Sequence, residues 1–437
     1  MNSYTKFFIL LILSGAALTA QAQTSSSTSS YSRFGMGLLS DQSQGPNRSM
    51  GGVGQALRAG NRVNMLNPAS YSAIDSLTFL FDVGMSGERT HLSQGNTSIN
   101  VNRAGFEYVN AGFRVAPGLG MSVGFAPYTT IGYNFQQQGS PTYDMLGNKL
   151  VQQMTYAGSG GLHNAYIGAG WRAFKSLSIG ANLGFLWGNI TNQSAQTMLV
   201  NGSSSSNYYT LTSNYSANIK TWKLDIGLQW QTLLDKQNLL NLGATVGIGH
   251  KLPNEATLMR TALNGDTTNY SVSNAYQLPM TYSMGAAWEH KGKLLVAADV
   301  TYEQWGKCTT PQLVNATNTY EAQTGQYKDR FRINAGLQYT PAPFDRSIKG
   351  RIQYRFGASY SSPYLKVNGQ DGPKEMSITA GLGLPIINSI NNRSYLNIGL
   401  QWAHRDANGA GMIAENTFRI NLGLSFNERW FMKWKFK

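Results

Sequence analysis

Gly120-Met121-Ser122-Val123-Gly124 fits the G-x-S-x-G spacing. A nucleophilic serine in that motif needs a sharp strand-to-helix turn, which lifts its Oγ toward a histidine and oxyanion donors. Apolar and small residues alternate on both sides of Ser122, so the spacing predicts an interior-facing residue within a strand. The five histidines, His91, His163, His250, His290 and His404, are scattered and share no triad or metal-ligand spacing. Cys308 is the only cysteine, which excludes an intrachain disulfide and a cysteine-built metal site. No catalytic residue, metal or cofactor is expected, and the chain is read as a non-enzyme. The other chemistry-bearing residues are charges set within apolar or small-residue runs: Asp82, Asp225, Asp299, Arg332 and Arg355. Such charges are expected to point inward and to pair with each other or with a segment lying inside. A guanidinium at Arg332 or Arg355 could also hold a carboxylate bidentately.

The elements that carry these charges have the period of a strand. Leu224, Ile226, Leu228 and Trp230 alternate with Asp225, Gly227 and Gln229; Ile420, Leu422, Leu424 and Phe426 alternate with Asn421, Gly423 and Ser425. The second face of each run is Gly, Asn, Ser, Thr or Gln, too small and polar for the core of a soluble sandwich. It suits a barrel lumen, with the apolar face toward lipid. About fourteen such runs can be counted from residue 77 onward, the last at 416–426. Short connections such as Ala116-Pro117-Gly118 alternate with long ones at 128–162, 188–218, 250–278 and 304–329, the pattern of periplasmic turns and outer loops. Trp171, Trp187, Trp230, Trp288, Trp305 and Trp402 fall near strand ends and predict an interfacial girdle. The expected fold is all-β: a transmembrane antiparallel β-barrel of about 14 strands, preceded by an N-terminal plug segment.

The ends of the chain add a location. Lys6, the apolar stretch Phe7–Leu18 and Ala20-Gln21-Ala22 form a cleavable secretory signal peptide, 1–22, too short to span a bilayer. Residues 23–75 are read as a Ser/Thr leader and plug, 76–426 as the barrel, and 427–437 as a basic, aromatic C-terminal tail. The chain carries a net charge of +14. Its Lys and Arg are scattered without a basic stripe, so nucleic acid is not expected as a partner, and anionic lipid is.

Met50-Gly51-Gly52-Val53-Gly54-Gln55-Ala56 followed by Asn67-Pro68-Ala69 and a first strand at Leu77 resembles the long-chain fatty-acid transporter (FadL) type of outer-membrane protein family. The residue-level likeness spans roughly residues 50–84; motif order and strand count extend it over most of the chain. The resemblance implies a cell outer-membrane barrel of a Gram-negative bacterium. It implies passive, porin-like uptake of hydrophobic compounds such as long-chain fatty acids, through a plugged lumen with a lateral exit at a kinked strand. Gly51, Gly52, Gly54, Asn67, Pro68 and Ala69 would then form the plug and exit motif. Some relatives instead serve as barrel subunits of protein secretion or outer-membrane assembly complexes, which is the alternative expectation. The partners implied are membrane lipid and lipopolysaccharide, a small hydrophobic ligand and, on the alternative, outer-membrane proteins.

Overall fold

The computed structural model describes residues 29–429 apart from 205–209, 263, 315–316, 346, 387–393, 407–408 and 410. The signal peptide and most of the Ser/Thr leader, like residues 430–437 of the tail, lie outside the described residues. Alternation dictates the architecture. Ile226, Leu228 and Trp230 are exposed at 49%, 43% and 39%, while Gln229 between them is 1% exposed. A strand of this kind must place its apolar face in lipid and its polar face inside.

Fourteen antiparallel strands close on themselves. They are β1 Thr78–Gln94, β2 Thr97–Ala116, β3 in two stretches Leu119–Pro127 and Thr129–Gln138, β4 Lys149–Trp171, β5 Leu177–Val200, β6 Leu211–Leu233 and β7 Asn238–Gly247. The wall continues with β8 Thr281–His290, β9 Leu294–Glu303, β10 Arg330–Tyr339, β11 Gln353–Ser361, β12 Lys374–Ile386, β13 Ser394–Asp406 and β14 Ala414–Arg429. Each pairs with the next, and β14 pairs with β1 from Ser93↔Ala414 to Thr78↔Arg429. Closure removes the free edges that an open sheet would expose in lipid. β14 runs three residues into the segment read as a tail.

Three of the long connections are not loops. β4, β5 and β6 hold 23, 24 and 23 residues against 10 in β8. Their surplus adds roughly 40 Å of strand length beyond the membrane band at strand rise. The hairpin Asn254–Thr261 and Thr267–Ser273 joins this outer sheet through β6. Here no lipid sorts the outer face, and the inner face, with Leu162, Leu186, Ile190, Ala217 and Ile219, packs into an apolar core instead of lining a polar lumen, so the apolar-out, polar-in alternation of the membrane band does not continue through these stretches.

β3 is broken at Tyr128. Its first stretch pairs with β2 only from Val109↔Phe125 downward, and its second stretch pairs with β4 but not with β2. The second stretch bends inward to meet Leu38–Leu39 from the N-terminal segment. Opposite the break, Gly160 and Gly161 have φ of +119° and +130°. A side chain on Gly161 would collide with the backbone of Thr129, so the bend requires glycine there.

The tryptophans divide. Trp171, Trp230 and Trp402 are exposed on the outer face, as a girdle requires. Trp187 instead lies within β5 and packs against Phe185, Phe125 and His163. Trp305 is buried under the outer loops, with ring centroids 5.1 Å from Tyr327 and 5.5 Å from Tyr364. There it belongs to an apolar core that also contains Met36, Leu186, Ile219, Leu252 and Tyr276.

Candidate functional site: the filled lumen

The inward face of the wall is a belt of glycines at one level of almost every strand. Cross-strand partners include Gly120↔Gly170, Gly170↔Gly180, Gly180↔Gly227, Gly243↔Gly285, Gly336↔Gly357 and Gly381↔Gly399. Main chain of residues 45–71 lies directly on this belt. A Cβ on Gly120 would overlap Tyr71, one on Gly180 would overlap Pro68, one on Gly243 Gln55, and one on Gly357 Gly51. Because these contacts run around the whole ring, the N-terminal segment must sit inside the barrel. The glycines were legible as a small inward face; their coincidence at one height requires the strand register, which no single run contains.

The six motif residues all meet the wall or shape the segment. Gly51 and Gly52 adopt φ of +69° and +80°, and Gly51 N donates to Thr379 Oγ1 at 2.9 Å. Gly54 N and Gln55 N donate to Asp299 Oδ2 at 2.6 and 3.0 Å. Asn67 caps the 3-10 turn Pro68–Ala73: its Oδ1 accepts from Ala69 N at 3.1 Å. Its Nδ2 donates to Gln55 O at 2.8 Å and to Leu228 O of β6 at 3.1 Å. Pro68 supplies the fixed φ at the start of that turn.

The five charges do not pair with each other. Asp82 accepts from Tyr108 Oη at 3.0 Å, and Asp225 pairs with Lys223. Arg355 donates to Gln338 Oε1 at 2.9 Å and Asn397 Oδ1 at 2.8 Å, so its planar fork is filled by amides. Asp299 and Arg332 do reach the N-terminal segment, Arg332 through Asp41 at 3.8 Å. Arg355 and Asp299 each gain at least two hydrogen-bond partners, whereas Asp82 Oδ2 and Asp299 Oδ1 are buried without one, at a desolvation cost that the fold carries.

A second set of charges was missed. Arg48 of the N-terminal segment bonds Glu107 at 2.7 Å; Arg419 meets Glu88; Arg405 bridges Glu375 at 2.6 Å and Glu415 at 3.2 Å. Glu88↔Arg419, Glu375↔Arg405 and Arg405↔Glu415 are direct cross-strand neighbours, opposite charges in register. Register again is what the sequence lacked. All of these side chains except Glu415 line a cavity of about 80 Å³ just outside the segment.

Ser122 lies inside strand β3 and not on a strand-to-helix turn: its Oγ donates to Ala111 O at 2.9 Å and shares a hydrogen bond with Tyr166 Oη at 3.0 Å. His91, His290 and His404 each bond an asparagine, and His250 meets Thr221. No cluster of metal-ligating side chains occurs among the described residues.

A closed fourteen-stranded barrel with an apolar outer band and a filled polar lumen defines an integral protein of the cell outer membrane. Its shape is that of solved toluene transporters and a FadL homologue. A Pseudomonas aeruginosa FadL homologue aligns with TM-score 0.60 at 10% identity, over 90% of this chain and 100% of that one. The P. putida toluene transporter TodX aligns at 0.58 and 15%, over 90% and 100%. The Ralstonia pickettii toluene transporter TbuX aligns at 0.57 and 13%, over 90% and 99%. At such identities the likeness extends to the fold. No curated protein matches the chain. The profile of the BamG family matches residues 4–437, and the chain belongs to that family. The expected FadL kinship therefore holds for architecture, while the family is BamG.

Proposed function

We propose that this barrel is an interaction subunit of an outer-membrane protein assembly or secretion complex, with its N-terminal segment acting as a fixed plug. The observation that carries this reading is the filling of the lumen. Phe34, Met36 and Leu39 of the chain itself pack into the apolar core under the outer loops, where an apolar ligand would have to enter. Deeper, the way is lined by Arg48, Arg103, Glu88, Glu107 and Arg419, and an apolar solute would gain nothing by displacing water from paired charges. The tall outer sheet offers a broad polar surface, with Tyr143, Met145 and Leu146 exposed at its tip. That combination suits holding a partner protein more than passing a solute.

One observation favours the second reading, passive uptake of hydrophobic compounds. The break in β3 leaves the upper part of β2 without a partner on that side among the described strands, and Phe106, at the lower end of that stretch, stacks on Phe125 at 5.7 Å. A lateral exit would lie there. The test is extraction of the native protein in mild detergent with identification of everything that travels with it. Partner proteins at fixed stoichiometry, lost when Tyr143, Met145 and Leu146 are all changed to Ser, support the subunit. A lone barrel carrying fatty acids or aromatic hydrocarbons overturns it in favour of uptake.

A further inference from the structure

At the periplasmic mouth of the lumen lies a second cavity of about 250 Å³, lined by Leu57, Arg58, Arg62, Glu289, Lys293 and Leu295 among others. A single buried water needs on the order of 10–15 Å³, so this is room for a small molecule or headgroup. Three cations and one carboxylate line it. Arg58 is committed to the N-terminal segment, donating to Ser72 Oγ at 2.8 Å and Ala69 O at 3.3 Å. Arg62 and Lys293 make no side-chain hydrogen bond or ion pair among the described residues. Glu289 lies near Arg62 and offsets part of its charge, as do Tyr395 and Asp82, but with Arg58 and Lys293 beside it the lining keeps an excess of cations over its one carboxylate, which invites an anion.

The cavity borders the lipid interface. Gly292, part of its lining, sits where a side chain would come within 3.8 Å of Pro343 and 3.9 Å of Phe344. Phe344 is 90% exposed, and Phe174 and Leu233 project from neighbouring periplasmic turns. These side chains belong among acyl chains, which sets Lys293 at headgroup level. We infer that the periplasmic mouth binds a phosphate group through Arg62 and Lys293, the headgroup of an inner-leaflet anionic phospholipid whose acyl chains lie against Phe344. The inference stands whichever reading of the barrel's function holds.

The experiment uses the mature full chain in neutral detergent, offered equal amounts of phosphatidylglycerol and phosphatidylcholine and read by native mass spectrometry. One phosphatidylglycerol should be retained preferentially. Arg62→Gln with Lys293→Gln should weaken retention by about tenfold or more, as loss of charge-assisted contacts does. Glu289→Gln should strengthen it, and Lys236→Gln, on another periplasmic turn, should leave it unchanged. Unaltered heat-dependent gel migration certifies each barrel; should the double variant misfold, Lys293→Gln alone, at an exposed turn, carries the test. A parallel titration of inorganic phosphate without lipid, followed by phosphorus NMR, separates the sources. Phosphate binding lost in the same variants with no lipid preference keeps the site and overturns its lipid occupant. Equal retention of both lipids, with phosphate binding absent or insensitive to the variants, overturns the site itself.

Discussion

Asp299 holds two backbone N–H groups with a single oxygen, those of Gly54 and Gln55. Asp299→Ala leaves both donors buried and unpaired, a cost of about 1–3 kcal/mol each. The N-terminal segment should become sensitive to added protease in intact outer membranes, while the barrel keeps its heat-dependent migration. Asp299→Asn retains an acceptor and should fall between. A second residue offers a chemical check. Burial pushes the Cys308 thiol up to about 12, with Asp329 and Glu303 adding to the shift. At pH 8 it holds almost no thiolate, and the thiolate is the reactive form. Maleimide should therefore leave Cys308 unlabelled in the native barrel and label it fully after unfolding; rapid native labelling would contradict the packing around Trp305. The inward charges were readable from sequence because a charge within an apolar run has few places to go. Their partners were not. Asp299 is 244 residues from Gln55 in the chain, and only the closed ring brings them together.

Among elements, the belt of glycines is the feature with the sharpest consequence. Gly357→Val would thrust two methyl groups into the main chain of Met50 and Gly51, where neither the wall nor the segment can yield. Such a variant should fail to seat the N-terminal segment, seen as protease sensitivity or loss of the folded band. Gly87→Ala in β1 meets nothing within 4 Å and should be silent in both assays. The strands themselves were legible where lipid enforces alternation, as at Leu224–Trp230. The outer halves of β4, β5 and β6 have the look of loops in the sequence because no bilayer sorts their faces. The break in β3 was hidden too: Gly160-Gly161 marks it, yet adjacent glycines in a loop-like stretch carry no distinguishing signal.

For the molecule as a whole, the apolar outer band is what binds it to the bilayer. Leu228→Arg, on the lipid face midway along the membrane part of β6, should cost about 2–4 kcal/mol. Guanidinium unfolding of the barrel refolded into vesicles would measure this, and a cost near zero would mean that the band lies elsewhere. Likeness to hydrocarbon channels and membership of the BamG family meet in this architecture, and a shared closed wall does not by itself fix the work that the barrel does. The filling also dictates a history. Ser29 bonds Glu415, a partner 386 residues away, and Leu38–Leu39 complete the bent stretch of β3 from inside. The residues synthesised among the first thus take their places only against strands synthesised among the last. Tyr71 and Ile74 meet β1, β3 and β4, but Met50 waits for β10 and β11 and Ser29 for β14, and every long-range pairing must be found before it rewards the chain. Docking of the N-terminal segment is therefore completed only with the last strands, and a chain stalled short of that point would expose both its seam and its stuffing to whatever chaperone is holding it.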